Sequence, residues 1–212
     1  VGWALGSNCI NFDGTDDYCD GYGLRDAMDT KGSISLWFNA DAEQERMLMM
    51  VGESDALTYI EIKTRADKRL GVNFRIDGTT YWGVATVEQY NAYDNWNHIV
   101  ITHDGITPKM YLNGSLATDN WEYDSDKTKW WTALFTAGSD NITIGCKARY
   151  NSGTRGDFSE GQMTDIAFWD EALDADDVTA LYNSGKGALA NTIPTNQTAY
   201  FKCQAVEDGT FD

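Results

Sequence analysis

An all-β fold, two antiparallel sheets packed face to face as a β-sandwich with one short helix in the C-terminal half, is the class this sequence predicts. Three observations carry it. Period-two alternation of apolar and polar residues recurs along most of the chain. Asp77-Gly78 and Asn113-Gly114 fall between such runs, and both dipeptides tolerate the positive φ angles of a type I′ hairpin turn. A single segment near residue 175 carries helix start and stop signals instead.

The elements follow in order. INFDG (10–14) closes a first strand, and Tyr18 and Cys19 open the next, so the aspartates between them occupy a strand-to-strand turn. SISLWF (33–38) sets Ile34, Leu36 and Phe38 on one face, and RLGVNFRI (69–76) does the same with Leu70, Val72, Phe74 and Ile76. WNHIVITHDG (96–105), KMYLNGSLAT (109–118), NITIG (141–145), MTDIAFW (163–169) and TAYFKC (198–203) complete the strand set. In ALDADDVTALYNSG, Asp174 caps a helix, Asp177 answers from the third helical position, Leu173 and Val178 form a hydrophobic staple, and Gly185 ends it. Ile10, Phe12, Phe201 and Cys203 all need burial, which brings the first and last strands together.

The chain has 212 residues, and no repeat or linker interrupts it, so residues 1–212 read as one domain. It begins at Val1 and reads as an excised or processed piece. No apolar run is long enough to span a bilayer, so membrane insertion is not expected. The net charge of −17 repels phosphate backbones and argues against nucleic-acid partners, while it invites cations. Cys9, Cys19, Cys146 and Cys203 lack the spacing of a zinc or redox motif and allow three disulfide pairings, or none.

Four blocks in order resemble the laminin-G-like branch of the concanavalin A-like lectin/glucanase jelly rolls: INFDGTDDYC, SISLWF, WNHIVITHDGITPKMYLNGSL and EGQMTDIAFWDEALDADDVTALYNSG. The third is similar to that family's tryptophan-histidine strand leading to a tyrosine strand and a hairpin, and the fourth to its glycine-x-x-Asp strand and capped helix. The resemblance implies a concanavalin A-like jelly roll, a fold that hosts lectins, adhesion modules and glycosidases. It also implies a structural calcium at a rim of the sandwich. Asp13 in the first turn and Asp165 at the family's acidic position are the expected ligands, since calcium takes hard oxygen donors.

Catalytic arrangements fare poorly. His98 and His103 are five apart on one strand, so they face opposite ways and cannot converge on a nucleophile; His98 is expected to be packed and hydrogen-bonded. Glu122, Asp124 and Asp126 have the alternate spacing of a glycosidase strand, but Tyr123, Ser125 and Lys127 between them are not core residues, and the segment reads as a solvated loop. Aromatic rings are the better lead, because sugar C–H faces stack on them. Trp82, Trp121, Tyr123, Trp130 and Trp131 are the candidate ligand contacts: Trp82 pairs with Asn73 off the core face, and one of the adjacent Trp130 and Trp131 must point outward on an extended strand. The expectation is a non-catalytic carbohydrate-binding or adhesion module, extracellular or on a cell or virion surface, with a glycan or surface protein as partner and a place in a larger assembly. A structural or decoration domain of a virus particle or large adhesin is the alternative, and a glycosidase the third reading.

Overall fold

Residues 9–40, 43–52, 57–91, 95–117, 119–135, 141–149, 154–187, 190 and 197–201 are described by the computed structural model. The strands are β1 (Ile10–Asp13), β2 (Cys19–Tyr22), β3 (Gly32–Ala40), β4 (Arg46–Gly52), β5 (Tyr59–Thr64), β6 (Leu70–Ile76), β7 (Thr79–Thr86), β8 (Asn97–His103), β9 (Pro108–Leu112) and β10 (Ser115–Leu116). They continue with β11 (Asp119–Asp124), β12 (Asn141–Ile144), β13 (Lys147–Arg149), β14 (Thr154–Gly156), β15 (Glu160–Trp169) and β16 (Gln197–Phe201), and the helix is α1 (Ala175–Tyr182). Sheet A runs β1-β15-β3-β8-β9-β10, with β16 also on β15; sheet B runs β11-β7-β6-β5-β4-β12-β2; and β13 and β14 form a separate ribbon. All pairings between these strands are antiparallel. The two-sheet class expected from the sequence holds, and the first and last strands both lie on β15.

Alternation dictates the core. Ile34, Leu36 and Phe38 of sheet A meet Ile60, Ile62, Val72 and Phe74 of sheet B in one buried cluster. The expected hairpins form with the expected residues: Asp77 and Gly78 take φ of 47° and 79°, Asn113 and Gly114 take 51° and 80°. Asp174 caps α1 by accepting from the Asp176 and Asp177 amides, and Asp177 answers the Asp174 amide, completing the capping box. The helix ends earlier than Gly185, because Asn183 itself adopts the left-handed conformation (φ 47°, ψ 48°) that Asn tolerates at a C-terminus.

The outer face of sheet A is covered. Val178 and Leu181 of α1 pack with Val100, Tyr111, Ala167 and Trp169 in a second buried cluster. Beside it Trp37, His98 and Tyr182 stack, with centroids 4.7 Å apart for Trp37–His98 and 5.8 Å for Trp37–Tyr182. His98 Nε2 hydrogen-bonds Ser35 Oγ at 2.8 Å, and complete burial pushes its pKa down to about 3, so the ring is neutral. His103 lies on the opposite face, against Trp130 at 4.8 Å. The packed role expected of His98 holds.

Candidate functional site

Sheet B leaves its outer face open at the β6–β7–β11 end, while Met47, Met50 and Tyr59 at the β4–β5 end are buried beside the β13–β14 ribbon. The alternation that buries Ile60, Ile62, Val72 and Phe74 turns Glu61, Asn73 and Arg75 the other way. Register then aligns one row across six strands: Thr143, Met50, Glu61, Asn73, Gly83 and Tyr123.

Glu61 is the centre of this row. Its side chain is only 3% exposed, so its charge needs partners. Asn73 Nδ2 donates to Oε1 at 2.8 Å, Lys147 Nζ approaches Oε2 at 3.3 Å, and Lys63 Nζ lies 3.5 Å from Oε1. Lys63 also donates to Glu45 at 2.7 Å. Burial alone would lower the Lys63 pKa, but the Glu45 hydrogen bond and the charges of Glu61 and Glu45 more than offset it and hold it above the ordinary value. The β13–β14 ribbon delivers Lys147 over the Tyr59 ring at 5.6 Å and Arg155 over the Tyr18 ring at 3.8 Å. Arg155 forms a two-pronged pair with Asp20, 3.2 Å from Oδ1 and 2.5 Å from Oδ2.

Tyr123 marks the other end. A Cβ at Gly83 would sit 2.4 Å from Asn73 Oδ1 and 2.9 Å from Tyr123 Cδ2, so glycine there lets the tyrosine ring and the amide close over bare backbone. The ring is 53% exposed. An exposed ring held against a polar, hydrogen-bonding floor suits a hydroxylated ring with C–H faces.

The other aromatic candidates are placed differently. Trp82 is fully buried, because a bulge at Tyr81 shifts the register so that Trp82 opposes Phe74 rather than Asn73 and turns into the core. Trp130 and Trp131 are both buried as well: Trp131–Leu134 form a 3-10 turn, not a strand, so adjacent side chains do not alternate. Trp130 stacks on Trp82 at 6.2 Å, and Trp131 Nε1 donates to the Leu24 carbonyl at 2.8 Å. These three tryptophans plug the core and offer no exposed ring. Trp121 is half-buried under the Lys127 ammonium, 4.2 Å from its centroid. A bulge at Glu122 sets it opposite Val84 while Tyr123 opposes Gly83, so the two rings face opposite sides.

That bulge also disperses the carboxylates. Residues 119–124 form an edge strand rather than a loop, but Glu122 bonds Arg65 at 2.7 Å and Asp126 accepts from the Thr128 hydroxyl and amide. The Thr128 side-chain and backbone hydrogen bonds hold the Asp126 carboxyl below its usual pKa, the wrong direction for a general acid.

The expected cation ligands also part. Asp13 lies opposite Glu160, whereas Asp165 is five residues further along β15, about 17 Å away at the rise of a strand. Asp165 sits in a bulge at φ 53°, 1% exposed, and its Oδ1 accepts the Ala190 amide at 3.3 Å. They cannot share an ion. Asp13 Oδ1 instead accepts the Thr15 and Asp16 amides at 2.8 and 3.3 Å, and Asp17 Oδ2 accepts the Asp13 amide, which is a side-chain-stabilised turn. Asp13, Asp16 and Asp17 still bring three carboxylate oxygens within 4.8 Å of one another at the surface. Cys19 and Cys146 are free thiols, and Cys203 lies outside the described residues.

A rim cleft of about 450 Å³ between Arg25, Met28 and Phe135 carries Asp26, Asp29 and Asp170, and Arg25 is engaged by the Phe135 carbonyl at 2.5 Å. The paired floor of sheet B was not read from the sequence, although Tyr59-Ile-Glu-Ile-Lys-Thr alternates cleanly and would have shown Glu61 and Lys63 facing outward.

A laminin-G-type family model, described as the concanavalin A-like lectin/glucanases superfamily, matches residues 13–179. Among curated proteins, none matches the sequence. The fold is similar to the SAP-like pentraxin of Limulus polyphemus (TM-score 0.61, 13% identity, 92% of this chain and 90% of that one). It is similar to the CBM40 of the Ruminococcus gnavus IT-sialidase bound to α2,6 sialyllactose (0.63, 19%, 82% and 95%). The binding domain of botulinum neurotoxin serotype D/C also matches (0.60, 17%), over 86% of this chain and 45% of that one.

Proposed function

This chain belongs to the concanavalin A-like lectin/glucanases superfamily, and from that premise we propose that it is a non-catalytic carbohydrate-binding module whose ligand face is the outer face of sheet B. One observation carries the proposal: an exposed Tyr123 ring lies on Gly83 beside Asn73 and the buried Glu61, on a face that no helix of the described residues covers. The neighbours support the ligand class, since one of them was solved holding a sialyllactose. A non-catalytic reading is supported by the fate of the acids. Glu122 and Asp126 are committed to local partners, and Glu61 is held by Asn73 and two lysines. No helix among the described residues is long and apolar enough to cross a membrane. An extracellular or surface setting, with a glycan as partner, is part of this proposal.

A calcium ion enters this reading only as a structural ion at the β1–β2 turn, held by Asp13, Asp16 and Asp17 with water completing its shell. The buried, hydrogen-bonded Asp165 does not fit such a site. Binding to the native state alone would raise stability by about 2.7 kcal/mol at 100 times the dissociation constant. A melting temperature indifferent to calcium and EDTA removes the ion and leaves the turn.

The ligand face is tested with a multimerised domain on a broad glycan array, because a shallow platform gains avidity from multivalency. Signal lost in Tyr123→Ala and Asn73→Ala, with folding intact, is the expected result. Glycan binding that survives both substitutions sends the site elsewhere.

A further inference from the structure

The cations on the outer face of sheet B are nearly all spoken for by carboxylates of the chain itself. Lys63 meets Glu45 and Glu61, Lys147 meets Glu61, Arg65 meets Glu122, and Arg155 meets Asp20. Arg75 is the exception among the described residues of this face. Its NH1 reaches only the Tyr59 hydroxyl, at 3.4 Å, and its Nε is buried without a partner. Arg46 and Arg69 also leave Nε unpaired, but their terminal nitrogens approach Glu160 and Asp67. In a chain with 33 acidic residues against 16 basic ones, a half-buried guanidinium that no carboxylate of the described residues neutralises is out of pattern.

We infer that Arg75 anchors a carboxylate carried by the ligand, so that the face takes a sugar bearing one acidic group, a sialic or a uronic acid. The inference rests on the ligand face proposed above. A planar guanidinium matches a carboxylate through two parallel hydrogen bonds, and such charge-assisted pairs are stronger than neutral ones. Position fits as well. Arg75 is two residues beyond Asn73 on β6 and shares its face, while Tyr123 lies two strands away on β11, opposite the Asn73–Gly83 pair. Backbone spacing puts Arg75 and Tyr123 about 12 Å apart, the reach of an oligosaccharide with its acid at Arg75 and a later ring on Tyr123. Asn73 between them offers its amide oxygen to a hydroxyl. A single acidic group is favoured over a multiply sulfated chain, because each further anion meets the field of a chain at −17.

Isothermal titration of the folded domain with 3′-sialyllactose, a glucuronic-acid-terminated disaccharide and lactose tests this, on wild type, Arg75→Gln, Arg75→Lys and Tyr123→Ala. In wild type, one of the acidic sugars binds about tenfold or more tighter than lactose, and which of the two does so names the source. Arg75→Gln drops that sugar to the level of lactose while lactose binding is unchanged, Arg75→Lys restores part of the preference, and Tyr123→Ala weakens all sugars together. An acidic preference that persists in Arg75→Gln, or lactose binding equal to both acids in wild type, overturns the role of Arg75 and leaves the face standing. Sugar binding insensitive to Tyr123→Ala and Arg75→Gln alike, or no binding of any of the three, overturns the face itself and the inference with it.

Discussion

The two sheets bury their inner faces alike, but their outer faces are opposites. Sheet A is sealed: α1 lays Val178 and Leu181 on it, Trp37, His98 and Tyr182 stack beside them, and β3 is buried at every position. Sheet B buries only Met47, Met50 and Tyr59 in a small apolar cluster on its outer face, and otherwise carries a buried carboxylate, a ladder of ion pairs and an exposed tyrosine. An apolar outer face requires a cover, whereas a polar one whose charges neutralise one another remains stable while facing solvent. The helix therefore marks the sealed side of the sandwich, and the proposed ligand face is the one that no helix of the described residues covers.

The contrast makes graded predictions for stability. Trp37→Ala, which empties the stack on sheet A, should cost about 3–5 kcal/mol in urea unfolding; a loss under about 1 kcal/mol would mean that this face is not sealed. Next comes acid. The folded pKa of His98 is about 3 against 6.5 for the free side chain. Between those values the unfolded state binds the proton and the folded state does not. Stability therefore falls by about 1.4 kcal/mol per pH unit below 6.5 and is flat with respect to this group above it. Comparing wild type with His98→Gln across pH 3.5–7 isolates the effect, and parallel curves would show that the ring titrates normally. Asp174→Ala removes the cap of the covering helix and should cost about 0.5–2 kcal/mol, with glycan binding untouched. Smallest is Tyr123→Ala on the open face, expected within about 0.5 kcal/mol of wild type although the proposed glycan contact rests on it. A large stability loss there would make Tyr123 a packing residue and erase the distinction between the faces.

Much of the fold was legible because local chemistry agrees with it. Asp77-Gly78 and Asn113-Gly114 adopt the positive φ their residues allow, and Asp174 and Asp177 close the capping box. Of the proposed ligand face, only Tyr123 is among the residues the sequence singles out. Trp82 was assigned to the wrong side because the one-residue bulge at Tyr81 inverts every side chain beyond it, and no local pattern announces a bulge. A strand would alternate Trp130 and Trp131, but Trp130, in extended backbone, packs on Trp82 and His103, and Trp131 opens a 3-10 turn against Phe168, so both are buried. Glu61 and Arg75 gain their meaning from what lies across the sheet: Lys147 is 86 residues from Glu61, and no window on the sequence joins them.

The placement of β15 also governs how the chain can fold. Sheet B grows by neighbours, since β4 through β7 pair in sequence. Sheet A cannot: β15 lies between β1 and β3, and the Asn11–Gln162 side-chain bond spans 151 residues. Closing loops of that length consumes chain entropy before any contact repays it, so a fold centred on such pairings assembles slowly, on the millisecond-to-second scale of β-sandwiches. During synthesis the hairpins of sheet B can form while sheet A still lacks β15. What waits for β15 is the β1–β15–β3 end of sheet A, where β1 has no partner until β15 emerges.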